Sequence, residues 1–281
     1  MKVLKIFLTA VILSVTFIYC SNGTTADEKQ ASDKPAAPHL KEETVTYKSD
    51  SVTLKGYVVY DENTKGKRPG ILVVHEWWGL NDYPKSRARQ LAEMGYIAMA
   101  VDMYGNGKTA TTPQEAGALA MNFGKNIELS RTRLDAAINK LKGYAQTDTS
   151  NIGAIGYCFG GGVVLNAAKL GADLKGVVSF HGTLAGVPAK KELLKAKVLV
   201  CHGEADNFVP ARDVAAFKKS MDSVGADYTF KAYPDATHAF TNPQSTETGK
   251  KFNMPIAYNA AADSASWNDM KVFFAKVFTN P

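Results

Sequence analysis

The sequence predicts an α/β protein in which a mostly parallel central sheet carries helices on both faces. Short apolar runs such as Gly70–His75 and Tyr96–Val101 are typical of strands that are buried on both faces. Stretches with helical spacing separate these runs, and glycines such as Gly95 and Gly171 stand where those helices are expected to end. Strands that alternate with helices are joined by crossovers, which place the strands parallel to one another.

The folded part is expected to open with a hairpin, because apolar and polar residues alternate in Thr44–Tyr47 and Val52–Tyr60 on both sides of a Ser-Asp turn. Later strands are assigned from apolar runs and helices from a spacing of 3.6 residues. In chain order these elements are strand Gly70–His75, helix Pro84–Met94, strand Tyr96–Val101, helix Pro113–Phe123, helix Ile127–Tyr144, strand Ile152–Gly156, helix Gly160–Leu170, strand Gly176–Phe180, strand Lys197–Cys201, helix Ala211–Val224, strand Tyr228–Tyr233 and a last helix from about Tyr258 to Phe278.

Composition and charge exclude several classes of protein. Hydrophobic residues make up 45% of the 281 residues and charged residues 21%, which is typical of a soluble globular protein and excludes wholesale disorder. The formal net charge of +6 is spread along the chain with only short lysine pairs. A nucleic-acid-binding protein needs a concentrated basic face, so we expect no nucleic-acid partner.

The first twenty residues are expected to be a signal peptide. Lys2 and Lys5 precede an apolar run over Ile6–Tyr19, and about 14 residues are too few to cross a membrane comfortably. Cys20 resembles the lipidation site of a bacterial lipoprotein, although Phe17-Ile18-Tyr19 replaces the usual Leu, small residue and Ala or Gly. We therefore expect an exported protein whose membrane contact is an N-terminal lipid anchor. Plain secretion, with cleavage beyond Cys20, is the alternative.

Residues 21–43 are expected to form a flexible tether, and residues 44–281 a single folded domain. The tether segment is rich in small, polar and proline residues and has no apolar periodicity. Such a segment buries too little apolar surface to offset the entropy of ordering it.

The run Gly156-Tyr157-Cys158-Phe159-Gly160 has the pattern of a nucleophile elbow, with cysteine where serine is more common. The predicted strand ends at the first residue of this run, and the predicted helix begins at its last. Glycines two positions before and after the nucleophile are needed because side chains there would collide across the sharp turn. The helix N-terminus also favours a thiolate. The alternative is a buried structural cysteine.

A cysteine nucleophile needs a base and an acid that orients the base, and in this fold the acid precedes the histidine. Asp206 follows a buried strand, at the edge where α/β sheets collect ligands. His238 follows the last predicted strand, on a loop that could reach back to the sulfur. The alternatives are that Asp206 caps a helix near Pro210 and that His238 is an ordinary surface histidine.

Two other motifs in the sequence are incomplete. Gly107-Lys108-Thr109 lacks the earlier glycine of a phosphate-binding loop, because Asp102 occupies that position. His75-Glu76 has no second histidine behind it, so a zinc-protease motif is absent. We expect no cofactor and no metal. A disulfide between Cys158 and Cys201 is disfavoured, since Cys201 lies in an apolar strand where cysteine acts as a small hydrophobe.

Four motifs in order make the chain, from about Val45 to its end, resemble the dienelactone hydrolase family. They are His75-Glu76-Trp77-Trp78-Gly79, the Cys158 elbow, His202-Gly203-x-x-Asp206-x-x-Val209-Pro210 and His238-Ala239-Phe240. The resemblance implies an α/β-hydrolase fold and a Cys158-His238-Asp206 triad that cleaves esters or lactones through an acyl-cysteine.

Further roles follow from the resemblance alone. It implies that Glu76 contacts the resting thiol and helps to generate thiolate, and that the backbone N–H groups of Trp77 and Phe159 form the oxyanion hole. The alternative for Glu76 is a structural role. Trp78 and Asn242 are expected to line the substrate pocket. The family carries an arginine four residues after the catalytic histidine, where this chain has the neutral Asn242, so we expect neutral small substrates.

The leading functional prediction is an exported cysteine hydrolase that acts on a small-molecule ester or lactone. The alternative is a catalytically silent α/β-hydrolase fold that serves as an exported binding protein. The order of the three triad residues in the chain favours the enzyme.

Overall fold

The computed structural model describes residues 37–279, and their centre is one eight-stranded sheet. The strand order across the sheet is β1-β2-β4-β3-β5-β6-β7-β8. The strands are β1 Leu40–Ser49, β2 Val52–Asp61, β3 Arg68–Val74, β4 Ile97–Val101, β5 Thr147–Tyr157, β6 Gly176–Phe180, β7 Lys197–Gly203 and β8 Tyr228–Tyr233.

Strand pairing confirms the mostly parallel sheet. The hairpin of β1 and β2 is antiparallel, and β2 joins β4 in antiparallel register. From β4 through β3 to β8 every neighbouring pair is parallel. The carboxyl ends of β3 and of β5 to β8 therefore meet at one edge of the sheet, and the candidate site residues follow these ends.

Helices cover both faces of the sheet, as the sequence predicts. Side chains of β3 alternate between two apolar cores: Leu72 and Val74 face one, and Ile71 and Val73 face the other. The helices are α1 Asp82–Glu93, α2 Pro113–Lys125, α3 Glu128–Lys142, α4 Phe159–Lys169, α5 Ala211–Ser223, α6 Ser245–Phe252 and α7 Ala260–Thr279. The first core takes residues from α3, α4 and α5, and the second takes residues from α1 and α7.

Two expectations need correction. The folded part begins before residue 44, because Leu40–Glu43, which the sequence places in the tether, pair with β2 as part of β1. The helix α6 was not predicted at all. Its sequence, STETGKKF, is mostly polar, and only Ser245 and Gly249 are buried, so it offers no apolar stripe to recognise.

None of the helices within residues 37–279 is long and apolar enough to cross a membrane. The expected signal peptide, Cys20 and most of the expected tether lie outside the described residues.

Candidate active site

Cys158 lies on the turn between β5 and α4, with its backbone in the left-handed region at φ 54°. The flanking glycines are required by close packing. A Cβ on Gly156 would lie 2.0 Å from the Gly160 carbonyl oxygen, and one on Gly160 would lie 2.4 Å from the Val74 carbonyl oxygen. The turn is therefore strained in the way that functional turns often are.

His238 joins Cys158 to Asp206. Its Nε2 lies 3.0 Å from Cys158 Sγ, and its Nδ1 lies 2.8 Å from Asp206 Oδ2. Because an ionised carboxylate can only accept, Nδ1 carries a proton and donates it to Asp206. Nε2 is then free to accept the thiol proton. The structure thus brings together three residues that are far apart in the sequence.

Burial and charge tune this chain of hydrogen bonds. Burial alone would lower the pKa of His238, but the neighbouring Cys158 and Asp206 outweigh it and raise that pKa above its ordinary value. The arrangement therefore favours a protonated His238 ring. Asp206 is 5% exposed, and its Oδ1 accepts from the Phe208 backbone N–H at 2.9 Å. It does not cap α5, whose N-cap is Pro210.

The backbone N–H of Trp77 lies on the loop after β3, and that of Phe159 lies in the first turn of α4, next to Cys158. Neither N–H has an acceptor within the described part of the chain, so both could serve a developing oxyanion. Tyr104 fixes the loop that carries Trp77, because its hydroxyl donates to the Trp77 carbonyl oxygen at 2.9 Å. Its ring also lies 5.4 Å from that of Phe159. Sequence reasoning missed Tyr104, although it follows β4 at the same edge of the sheet.

Glu76 is buried, and burial raises the pKa of its carboxyl to about 7. The Asn242 side chain donates from Nδ2 to Glu76 Oε2 at 2.7 Å, which partly offsets that rise. Asn242 was expected at the pocket wall. It is instead 8% exposed and lines neither of the cavities at Cys158, because its amide is turned toward Glu76.

His181 contacts the backbone of the turn that carries Cys158. Its Nδ1 accepts from the Cys158 backbone N–H at 3.1 Å, and its Nε2 lies 2.7 Å from Thr241 Oγ1. Thr241 Oγ1 is in turn 2.6 Å from the Tyr83 hydroxyl. Burial holds the pKa of His181 well below its ordinary value, so the ring is neutral. The His202 side chain makes no hydrogen bond within the described residues and packs near Phe230.

Two cavities meet at Cys158. The larger, of about 580 Å³, extends toward α2 and α4. The smaller, of about 90 Å³, is walled by Trp78, Met254 and Ile256 and reaches Glu76. Both are lined by Trp77, Cys158, Phe208 and His238. We call them the large compartment and the small compartment. Phe208 is half exposed and its ring lies 5.0 Å from that of His238, a contact that the sequence did not suggest.

Cys201 differs from Cys158 in every relevant property. Both thiols are free, but Cys201 is fully buried, and burial raises its pKa to about 12. It accepts a hydrogen bond from the Tyr233 hydroxyl at 3.5 Å. Within residues 37–279, no group of three or more His, Cys, Asp or Glu side chains is arranged to hold a metal ion.

Comparison with known proteins identifies the family of the chain. The sequence profile of the dienelactone hydrolase family matches residues 54–278. A protein of Aquifex pyrophilus called usf is 28% identical over 84% of this chain and 98% of its own length. A Methylorubrum extorquens protein named carboxymethylenebutenolidase is 32% identical over 62% of this chain and 64% of its own length.

A solved structure has a similar fold. It is a dienelactone hydrolase-like promiscuous phosphotriesterase from metagenomic libraries, 31% identical, with a TM-score of 0.79 over 85% of this chain and 98% of its own. The profile covers most of the chain, and the fold agrees over the same region. The protein is a hydrolase that acts on ester-type bonds, and the chain belongs to the dienelactone hydrolase family.

Proposed function

We propose that the protein cleaves small, neutral esters or lactones through an acyl-cysteine intermediate on Cys158. The observation that carries this proposal is the continuous path from Cys158 Sγ through the His238 ring to Asp206, with spacings of 3.0 Å and 2.8 Å. A thiol, an imidazole and a carboxylate in this order make up a nucleophile, a base and a group that orients the base.

The first half of the proposed reaction forms the acyl-enzyme. His238 Nε2 accepts the Cys158 proton, and the thiolate attacks the carbonyl carbon. The carbonyl electron pair moves onto oxygen, where the N–H groups of Trp77 and Phe159 stabilise it. When the carbonyl reforms, the carbon–oxygen bond to the alcohol breaks, and the His238 imidazolium donates its proton to the departing oxygen.

The second half releases the acid. Water attacks the acyl carbon while His238 accepts one of its protons, and the tetrahedral intermediate then expels the Cys158 thiolate. Asp206 keeps its hydrogen bond to Nδ1 throughout and stabilises the imidazolium whenever it forms. The products are a carboxylic acid and the resting enzyme, so atoms and charge balance with water as the second substrate.

The cavity linings support a neutral substrate. No Lys or Arg lines either compartment. A carboxylate on the substrate would therefore lose water without gaining a charge-assisted hydrogen bond. The small compartment contains Glu76, whose carboxylate form would repel an anion. Apolar and aromatic walls suit alkyl or aryl groups instead.

Glu76 is proposed to act on the thiol rather than on the substrate. Glu76 and Cys158 both line the small compartment, so the two side chains face the same space. The carboxyl could meet the thiol when the sulfur turns away from His238, and it would then hold the thiol in its resting form or accept its proton.

Hydrolysis of short p-nitrophenyl esters tests the proposed function. We expect steady turnover by the wild type, and a loss on the order of 10³-fold or more in Cys158→Ala. Cys201→Ala is the matched control, since it removes the other described thiol and should leave turnover unchanged. Binding of esters without turnover by the wild type would contradict the proposal and favour a catalytically silent binding protein.

A neutral phosphate triester is a second candidate substrate, favoured by the uncharged compartments and by the likeness to a promiscuous phosphotriesterase. The same thiolate would attack phosphorus, and the alcohol would leave with the His238 proton. Water would then attack phosphorus and expel the thiolate, which gives the phosphate diester and the resting enzyme. Diethyl p-nitrophenyl phosphate is the probe. Release of many equivalents of p-nitrophenol per enzyme supports this activity, and a single equivalent would show that the triester only inactivates Cys158.

We also propose that residues 1–20 are a signal peptide, that Cys20 carries a lipid anchor and that the segment after it is a tether. The support is the composition of this region. Cys20→Ala is expected to abolish labelling with palmitate and to release the protein from the membrane fraction. A wild type that takes up no palmitate and begins beyond Cys20 would favour plain secretion.

A further inference from the structure

Another cavity, of about 350 Å³, lies beside the substrate site and differs from both compartments in its charge. It is lined by residues of α2, of α3 and of the loop after β4. It shares Met121 and Phe123 with the large compartment. Its apolar wall includes Met103, Leu119 and Leu129. We call it the basic cavity because Lys108, Lys125 and Arg133 line it.

Three cationic side chains line the basic cavity: Lys108, Lys125 and Arg133. The lining contains no Asp or Glu. None of the three cations forms an ion pair with any residue between 37 and 279. Three positive charges thus line one cavity whose described lining contains no carboxylate.

Arg133 carries the argument, because it is only 8% exposed. Its Nη1 donates to the Ser49 carbonyl oxygen at 2.9 Å, whereas its Nε is buried and has no partner in the described structure. A buried charge is costly unless it is paired, and an unmet N–H on that charge adds to the cost.

No acid within residues 37–279 forms an ion pair with Arg133, and the carboxylate of Asp102 has other partners. Asp102 and Arg133 both lie close enough to Tyr47 to shift the pKa of its hydroxyl, in opposite directions. Both Asp102 oxygens are engaged by backbone N–H groups: those of Lys55 and Gly107 donate to Oδ2, and that of Gly105 donates to Oδ1. Asp102 therefore holds the loop after β4 through these backbone partners.

We propose that the basic cavity binds an amphipathic small anion: a carboxylate or phosphate group attached to a compact apolar body. The anionic group would pair with Arg133, which presents several N–H donors in a fixed plane, and Lys108 and Lys125 would hold it from the exposed side. The apolar body would pack against Leu119, Met121 and Leu129. This site does not depend on the function proposed above.

Calorimetric titration of the full chain tests the site. The probes are benzoate and phenyl phosphate, which separate a carboxylate from a phosphate ligand, and benzamide as a neutral match in shape. We expect at least one anion to bind with heat, and benzamide to give none. Failure of both anions to bind at millimolar concentration overturns the proposal, as does equal binding of benzamide.

Charge variants locate the binding. Lys108→Gln combined with Lys125→Gln should weaken anion binding at least tenfold. Lys271→Gln combined with Lys276→Gln removes the same charge from exposed positions on α7 and should leave the affinity unchanged. Equal weakening by the two pairs would show a general charge effect and overturn the site. Unchanged affinity in the first pair would place the anion elsewhere, for example beside His238, with the same consequence.

Arg133→Gln tests the buried cation directly. The shorter side chain removes the charge, and we expect it to abolish binding of both anions. If this variant does not fold, the lysine pair still decides the question, because both lysines are exposed and in no ion pair among the described residues. An Arg133→Gln variant that folds and binds either anion with wild-type affinity would overturn the proposal.

Discussion

The Asn242 side-chain amide donates to Glu76 Oε2 across 2.7 Å, between residues that are 166 positions apart in the chain. This is a neutral donor on a buried carboxyl, at a position where the resemblance led us to expect a pocket wall. Burial keeps the pKa of Glu76 near 7 because one amide offsets only part of the cost of desolvation. The carboxyl therefore titrates close to neutral pH.

The titration of Glu76 predicts a pH-dependent stability. A carboxyl whose pKa is higher in the folded protein than in the unfolded chain destabilises the fold as pH rises between those two values. The rise from 4.5 to about 7 corresponds to roughly 3 kcal/mol. Glu76→Gln keeps the shape without the charge, so it should raise the free energy of unfolding by roughly 2–3 kcal/mol at pH 8 and by less than about 1 kcal/mol at pH 5.

Urea unfolding at both pH values measures this difference. Glu192→Gln is the control, because Glu192 is exposed and its replacement should have the same small effect at either pH. A Glu76→Gln effect that does not grow between pH 5 and pH 8 would show that Glu76 does not titrate with a raised pKa.

The contrast between the two described thiols predicts selective alkylation. Cys158 is partly exposed beside His238, whereas burial raises the pKa of Cys201 to about 12. The thiolate is the reactive form, so a limiting amount of iodoacetamide should label Cys158 first. Peptide mapping measures the order. Preferential labelling of Cys201 would exclude Cys158 as the nucleophile.

The hydrogen bonds of His238 predict which replacements damage turnover. His238→Ala removes the base, and Asp206→Asn replaces an acceptor on Nδ1 with an amide that can donate and so favour the wrong tautomer. Each should lower kcat on the order of 10²–10⁴-fold, with a much smaller change in KM.

His202→Ala is the matched control for these two variants. His202 is a buried histidine on β7 that makes no hydrogen bond to the three residues. We expect its turnover to stay near that of the wild type. If Asp206→Asn or His238→Ala also kept near-wild-type turnover, the proposed triad would be wrong.

The substrate's charge gives a further prediction. The wild type should show a higher kcat/KM on a neutral ester than on the matched ester that bears a carboxylate, since no cation lines either compartment. Because Asn242 faces Glu76, an arginine there would pair with Glu76 and lower its pKa instead of reaching the substrate. Asn242→Arg should therefore keep the neutral preference. A wild-type preference for the anionic ester would refute the neutral pocket.

The features that sequence reasoning identified are those that local pattern determines. The bounds of β6 agree with the apolar run that predicted them, because a strand buried on both faces must be apolar throughout. The Cys158 turn was identified because only glycine fits at Gly156 and Gly160. That this turn meets Asp206 and His238 follows from the rule that parallel strands end at one edge of the sheet.

The features that were missed depend on orientation in three dimensions. Asn242 was placed in the pocket by counting from His238, but the count does not tell which way a side chain on a turn will point. The basic cavity is similar, since Lys108 and Arg133 lie on separate elements that meet only through tertiary packing. No periodicity in the sequence records such meetings.

The unequal compartments predict that the enzyme discriminates between the two arms of an ester by size. The small compartment, at about 90 Å³, has room for about three water-sized volumes of roughly 30 Å³, so it admits a group of about three or four heavy atoms. Measured over two series of esters, one lengthened in the acyl arm and one in the alcohol arm, kcat/KM should fall sharply with length in one series and only gradually in the other.

Ile256→Ala enlarges the small compartment and should move the sharp limit to longer groups. Ile127→Ala makes the same replacement in the large compartment and should leave that limit in place. An equal dependence on both arms, or a limit that moves in both variants, would show that the two compartments do not hold separate arms of the substrate.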